Sequence, residues 1–189
     1  HIPKIDREMR ELLAPLGITL ACLADLSTSP EVEEGPDYAA NARLKAVTLS
    51  EFSGLWTVAD DSGLEVDALG GAPGPHSARM GGAGAADAAR GRTLLGLLQP
   101  HPRPWTARFR CTMALAGPGG AIDLAVGVCE GEVVPTEAGS GGFGYDPIFL
   151  VAGRPQTMAE LSQIEKNRIS HRARAVQALL PTLAARLHL

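Results

Sequence analysis

The apolar positions change their period several times along the chain, and each change marks an element. Between residues 4 and 15, Ile5, Met9, Leu12 and Leu13 share one helical face, and Pro15-Leu16-Gly17 stops the run. ITLACL, residues 18–23, is unbroken and apolar, which predicts a short buried strand. The polar stretch DLSTSPEVEEGP reads as loop. With Asp37 as N-cap, YAANARLKAVTLSEF predicts a second helix that Gly54 ends. LWTVA, 55–59, predicts a strand, with DDSG opening a loop after it. Residues 85–98 read as helix, although Gly91 and Gly96 weaken it.

WTARFRCTMALAG, 105–117, alternates like a strand, GPGG turns, and residues 121–134 return, so the pair predicts a hairpin. A glycine-rich loop, 137–147, leads into the short strand IFLVA. Residues 157–165 read as helical. A last helix starts near Asn167 or Ser170, runs to about Leu187 and turns Ile169, Ala173, Val176 and Leu180 inward. Helices and strands interleave irregularly around a hairpin, which predicts an α/β protein with a mixed sheet rather than a βαβ array. No repeat or linker interrupts the 189 residues, so they read as a single domain.

Charge narrows the partners. Lys+Arg 17 against Asp+Glu 21 gives a net −4, which lacks the basic footprint of a duplex-binding protein. A phosphorylated small molecule needs only a local cationic cluster. Three cysteines without CxxC spacing fit neither a disulfide framework nor a zinc site, and they suit a reducing cytoplasm. No signal peptide and no membrane-spanning apolar run is present in this sequence.

Four stretches carry chemistry. Asp60 and Asp61 are adjacent at the end of an apolar run, where clefts in α/β sheets often open. Successive residues of a strand face opposite ways, so one carboxylate could hold a cation or a water while the other braces the loop. The residues alone leave open a plain turn, and which aspartate does what. Glu33-Glu34 reads as a solvated acidic loop, or as the second carboxylate that a hard cation would take with phosphate oxygens. GSGGFGYDP places Phe143 and Tyr145 among glycines, offering a stacking face and closely approaching backbone amides. In EKNRISHRARA, Lys166, Arg168, His171, Arg172 and Arg174 crowd a helix start, against the helix dipole, which calls for a compensating anion or polar ligand. Neither GxxxxGK[ST] nor GxGxxG is present to bind phosphates.

EEGPDYAANARLKA, ADDSGLEVDALGGAPGPHSAR, GGFGYDPIF and EKNRISHRARA, in this order and spacing, resemble the inosine/xanthosine triphosphate pyrophosphatases. The resemblance implies an elongated mixed sheet with two lobes and a central cleft, acting as a homodimer. It also implies Mg²⁺-dependent hydrolysis of ITP, dITP or XTP between the α and β phosphates. Asp61 would be the proton acceptor and a metal ligand, and Glu33 the other metal ligand. Ser62, Lys45, Phe143, Gly144, Tyr145, Asp146, Lys166, His171 and Arg172 would bind the substrate. The family's usual first strand and T/S-x-N-x-x-K loop are missing here; HIPK stands where N-x-x-K would, with Lys4 as its lysine. The family's Glu before Asn-Ala is Ala40, so its role is not carried over. A pyrophosphatase for modified pyrimidine nucleotides and a nucleotide sensor without turnover are the alternatives. The first fits GGFGYDP and Ser-His-Arg poorly, and the second fits Asp60-Asp61 and Glu33 poorly.

Overall fold

The computed structural model describes residues 2–25, 32, 35–82 and 84–189. Its spine is the expected hairpin. β3 (Trp105–Ala116) and β4 (Ile122–Val133) pair along their whole length, from Trp105↔Val133 to Ala116↔Ile122. β1 (Thr57–Val66) lies on the other side of β3, and the short β2 (Pro73–Gly74) and β5 (Phe149–Val151) form the edges, in the order β2-β1-β3-β4-β5. The α/β class stands. The sheet is antiparallel at every described pairing, however, where the sequence predicts a mixed one. A turn as tight as that between β3 and β4 can join only antiparallel strands.

Side chains alternate across the sheet, so each face has its own partners. On one face Ala59, Ala114 and Ala116 meet Ala42 and Ala46 of α2 (Tyr38–Ser53), small residues that bring helix and sheet close. Asp37 caps α2, accepting the Ala40 N–H at 2.7 Å, and Gly54 ends it in the left-handed region. The other face carries two apolar clusters laid end to end. Met113, Leu115 and Ala125 pack with Leu13 of α1 (Ile2–Leu13) and with Val176, Leu179 and Leu183 of α5 (His171–Leu187). Leu64, Val66, Phe109 and Val133 pack with Leu94 and Leu98 of α3 (Asp87–Leu98), and with Tyr145 and Phe149. Between Val58 in the first cluster and Leu64 in the second, β1 presents Asp60 and Ser62. The cleft includes this gap and also takes in Lys45 and Asp61 from the α2 face.

Three expectations change. DDSG is not a loop: Asp60↔Met113, Asp61↔Thr112, Ser62↔Cys111 and Gly63↔Arg110 are consecutive pairs inside β1. The strand continues because the β3 backbone beside it is unbroken, which outweighs the turn preference of Asp-Ser-Gly. ITLACL is not a strand. No strand lies beside it among the described residues, and its polar groups find side chains instead: Leu20 O accepts from Arg10 Nη1 at 2.8 Å, and Cys22 N–H donates to Asp25 at 2.8 Å. The helix expected over 157–165 is one short turn, Met158–Glu160, followed by α4 (Gln163–Ile169). Ser162 starts α4 with a capping box, its side chain accepting the Glu165 N–H. Among the described residues no helix is long and apolar enough to cross a membrane.

Gly127 sets how α5 meets the sheet. A methyl there would collide with the His171 carbonyl oxygen and the Ala175 N, and would lie 2.9 Å from the Arg174 carbonyl carbon. The first turn of α5 therefore rests on bare β4 backbone, which delivers His171 and Arg172 to the cleft. Gly127→Ala is expected to cost about 2–3 kcal/mol in urea unfolding, the range for overpacking a tight contact. It should also lower turnover, because the α5 backbone cannot yield as a flexible side chain would.

Candidate active site

The strand geometry separates the two aspartates. Asp61 faces α2, where Lys45 Nζ donates to its Oδ1 at 2.9 Å and Asn41 Nδ2 to its Oδ2 at 3.0 Å. Asn41 and Lys45 are four apart on α2 and so share a face. The same Asn41 amide holds Gly35 at both ends, donating to its carbonyl at 2.9 Å and accepting its N–H at 2.7 Å. Lys45 also donates to the Asp60 carbonyl at 2.9 Å. Asp61 is buried yet lines the cleft, which has a volume of about 240 Å³.

Asp60 faces α5. Its Oδ2 accepts from Arg172 Nε at 3.2 Å, Arg172 Nη2 at 3.0 Å and the Ser62 hydroxyl at 2.7 Å. Arg172 Nη1 donates to Glu8 of α1 at 2.9 Å. Burial alone would push the Asp60 carboxyl up, but the Arg172 charge, the Ser62 hydroxyl and Lys45 outweigh it and hold Asp60 below the usual carboxylate range. Burial likewise acts against the Arg172 charge and is overcome by Asp60 and Glu8, so the guanidinium stays charged. This is the compensating anion that cations at a helix start require. Lys166 and Arg168 differ from the sequence reading: they end α4, where positive charge complements the dipole. Ser170 N-caps α5, accepting the Ala173 N–H at 3.1 Å.

His171 stacks on Phe109 with ring centroids 4.9 Å apart. Burial, then the Arg172 charge, drives its pKa well below the ordinary 6.5, so the ring is neutral. Its Nδ1 is buried and has no hydrogen-bond partner among the described residues.

The glycine-rich loop closes the far side. Lys166 Nζ and the Phe143 N–H both donate to Asp146 Oδ2, at 2.7 and 3.0 Å. Phe143 lines the cleft with the Lys166 ammonium 5.7 Å and the Arg172 guanidinium 5.9 Å from its ring centre. Tyr145 belongs to the core instead, its hydroxyl donating to the Ser77 carbonyl at 2.8 Å, and burial pushes that phenol up to about 12.

The cleft thus brings together Lys45, Asp61, Ser62, Phe143, Gly144, Tyr145, Asp146, Lys166, His171 and Arg172. Glu33 and the side chain of Lys4 lie outside the described residues; the Lys4 backbone is in α1. Sequence reasoning missed Asn41, Glu8 and Arg90. Asn41 had a signal, its position four residues before Lys45. Glu8 and Arg90 had none, since each finds its role only through contacts in space.

Because the His171 pKa is depressed on folding, the unfolded chain binds more protons as pH drops, and stability is lost. The melting temperature is expected to decline as pH falls below about 6.5, the ordinary histidine value. His171→Asn should flatten that part of the profile in thermal melts between pH 5 and 7.5. An unchanged slope would place the titrating group elsewhere.

The Ham1 family model matches residues 4–182. The dITP/XTP pyrophosphatase of Desulforamulus reducens is 47% identical over 179 residues, covering 94% of this chain and 89% of that protein. The protein of the same name from Bacillus licheniformis is 45% identical over 175 residues, covering 92% of this chain and 89% of its own. The solved HAM1 protein of Coxiella burnetii superposes with a TM-score of 0.86 at 40% identity, covering 95% of this chain and 92% of its own. The nucleoside-triphosphatase / dITP/XTP pyrophosphatase of Mycobacterium abscessus gives 0.77 at 41% identity, covering 96% and 95%. With its carboxylate-lined cleft between two apolar clusters, and with matches over nearly its whole length, this chain belongs to the Ham1 family.

Proposed function

We propose that the protein hydrolyses dITP, ITP and XTP to the monophosphate and pyrophosphate. The observation that carries this reading is one cleft lined both by a buried carboxylate, Asp61, with Lys45 beside it and by an aromatic-glycine loop next to Ser-His-Arg. That combination of groups suits a substrate with a charged tail and a flat base. Relatives over 90% or more of the chain carry the name dITP/XTP pyrophosphatase.

Asp61 accepts the proton of a water directed at the α phosphorus, and pyrophosphate leaves. Asn41 and Lys45 keep both carboxylate oxygens oriented, so the base meets the water in a fixed geometry. When substrate enters, Lys45 also serves its phosphates. A buried carboxylate facing a cleft, as Asp61 does, is in keeping with Mg²⁺, because this ion is commonly held by one or two carboxylates together with phosphate oxygens and waters. Asp61 and Glu33 would hold it, and it would neutralise charge on the triphosphate. Lys4 would add a second cation at the tail, and Ser62 a substrate contact.

In the same cleft Phe143 gives the base a stacking surface, while Gly144, Tyr145, Asp146 and Lys166 form the wall around it. Arg172 and neutral His171 present polar nitrogen to a 6-keto purine. Adenine would bring an amino donor to the Arg172 donor, leaving both unpaired, which is how a polar site rejects a near-isostere. One domain spanning the chain, acting as a homodimer in the cytoplasm, is the working unit.

A panel of nucleotides assayed for pyrophosphate tests the reading. Release of pyrophosphate from dITP, ITP and XTP, with ATP much slower, is expected. Orthophosphate as the sole product, or ATP turned over as fast as ITP, would overturn it. Asp61→Asn is expected to lose kcat by about 10²–10⁴-fold with KM nearly unchanged, the signature of a group needed only in the transition state.

A further inference from the structure

The loop holding Phe143 and Gly144 is a thin wall. Both residues line the cleft, and both also line a second cavity of about 210 Å³ bounded by Asp87, Gly91 and Glu137. A side chain added at Gly144 would meet only open space within 4 Å. A segment lining two solvent-open clefts has few protein atoms to pack against on those sides. Its position then depends on directed hydrogen bonds.

Two carboxylates supply them. Asp146 accepts the Phe143 N–H and passes the anchor to Lys166 of α4. Asp87, the first residue of α3, accepts the Gly144 N–H through Oδ2 at 2.8 Å. Its other oxygen accepts from Arg90 Nη1 at 2.9 Å, and Arg90 itself lines the catalytic cleft. α3 is fixed in the core through Leu94 and Leu98.

We propose that Asp87 is a positioning residue for nucleoside recognition, holding Gly144 and Arg90 in register with a helix the core has fixed. This rests on the reading that the Phe143–Asp146 loop receives the base. Asp87 acts on where the base sits and leaves the chemistry at Asp61 untouched.

Steady-state kinetics with dITP separate the possibilities. Asp87→Ala is expected to raise KM about tenfold with kcat within about twofold, the loss of one charge-assisted hydrogen bond used in binding. The Asp87 side chain is 31% exposed, so its removal leaves no buried hole. Asp87→Asn keeps a carbonyl acceptor for Gly144 and is expected to recover most of the lost affinity. Asp87→Thr, a helix-compatible residue whose acceptor falls one bond short, should behave like the alanine variant and serves if that one does not fold. An asparagine variant as weak as alanine would overturn the proposal, because the effect would then come from charge at the helix start. So would an unchanged KM in Asp87→Ala while Phe143→Ala raises KM. If Phe143→Ala leaves KM unchanged as well, the reading of the loop as the base site fails with it.

Discussion

Arg172 brings a full positive charge to a place where only 4% of its side chain reaches solvent. An isolated buried charge is prohibitive, so the fold around it is constrained to supply opposite charge. Asp60 arrives from β1 and Glu8 from α1, and together they fix three elements relative to one another. Such a triad is not a strong source of net stability, since its desolvation nearly cancels its attraction. Losing one member, though, costs about 3–5 kcal/mol by stranding the others. The triad is therefore better understood as a registration device. It works only because Gly127 lets α5 lie on the sheet, close enough for Arg172 to reach Asp60.

From that registration follows the division of labour between the adjacent aspartates. A strand must turn neighbouring side chains to opposite faces. Asp60 is spent on Arg172, on the face of α1 and α5. Asp61 emerges on the face of α2 and meets Lys45 and Asn41. The pair looked in sequence like a turn with a spare carboxylate. In space it is a strand whose two faces do different work at the same point along the sheet.

The sequence made the hairpin, α2 and the start of α5 legible, because alternation, Asp37, Gly54 and Ser170 are local signals with local causes. It misjudged DDSG and ITLACL for opposite forms of one reason. A strand is decided by its neighbours: β3 beside DDSG holds it extended against its turn preference, and ITLACL has no such neighbour among the described residues. The cleft residues were legible as separate motifs. Their pairing was not, since Asp60 and Arg172 are 112 residues apart and Asp87 and Gly144 are 57 apart.

Two parts of the cleft are held by different physics, which on the proposed reading bears on how one site can be both reactive and selective. The Asp61 side is built from a long strand and a long helix with charges already paired, so its geometry exists before anything binds. Pre-formed orientation of this kind lowers the reorganisation required at the moment of reaction. The Phe143–Asp146 side is a loop that lines two cavities and is tied by hydrogen bonds to α3 and α4. On the proposed reading, separate supports for the carboxylate and for the loop let selection act through binding without disturbing the position of Asp61.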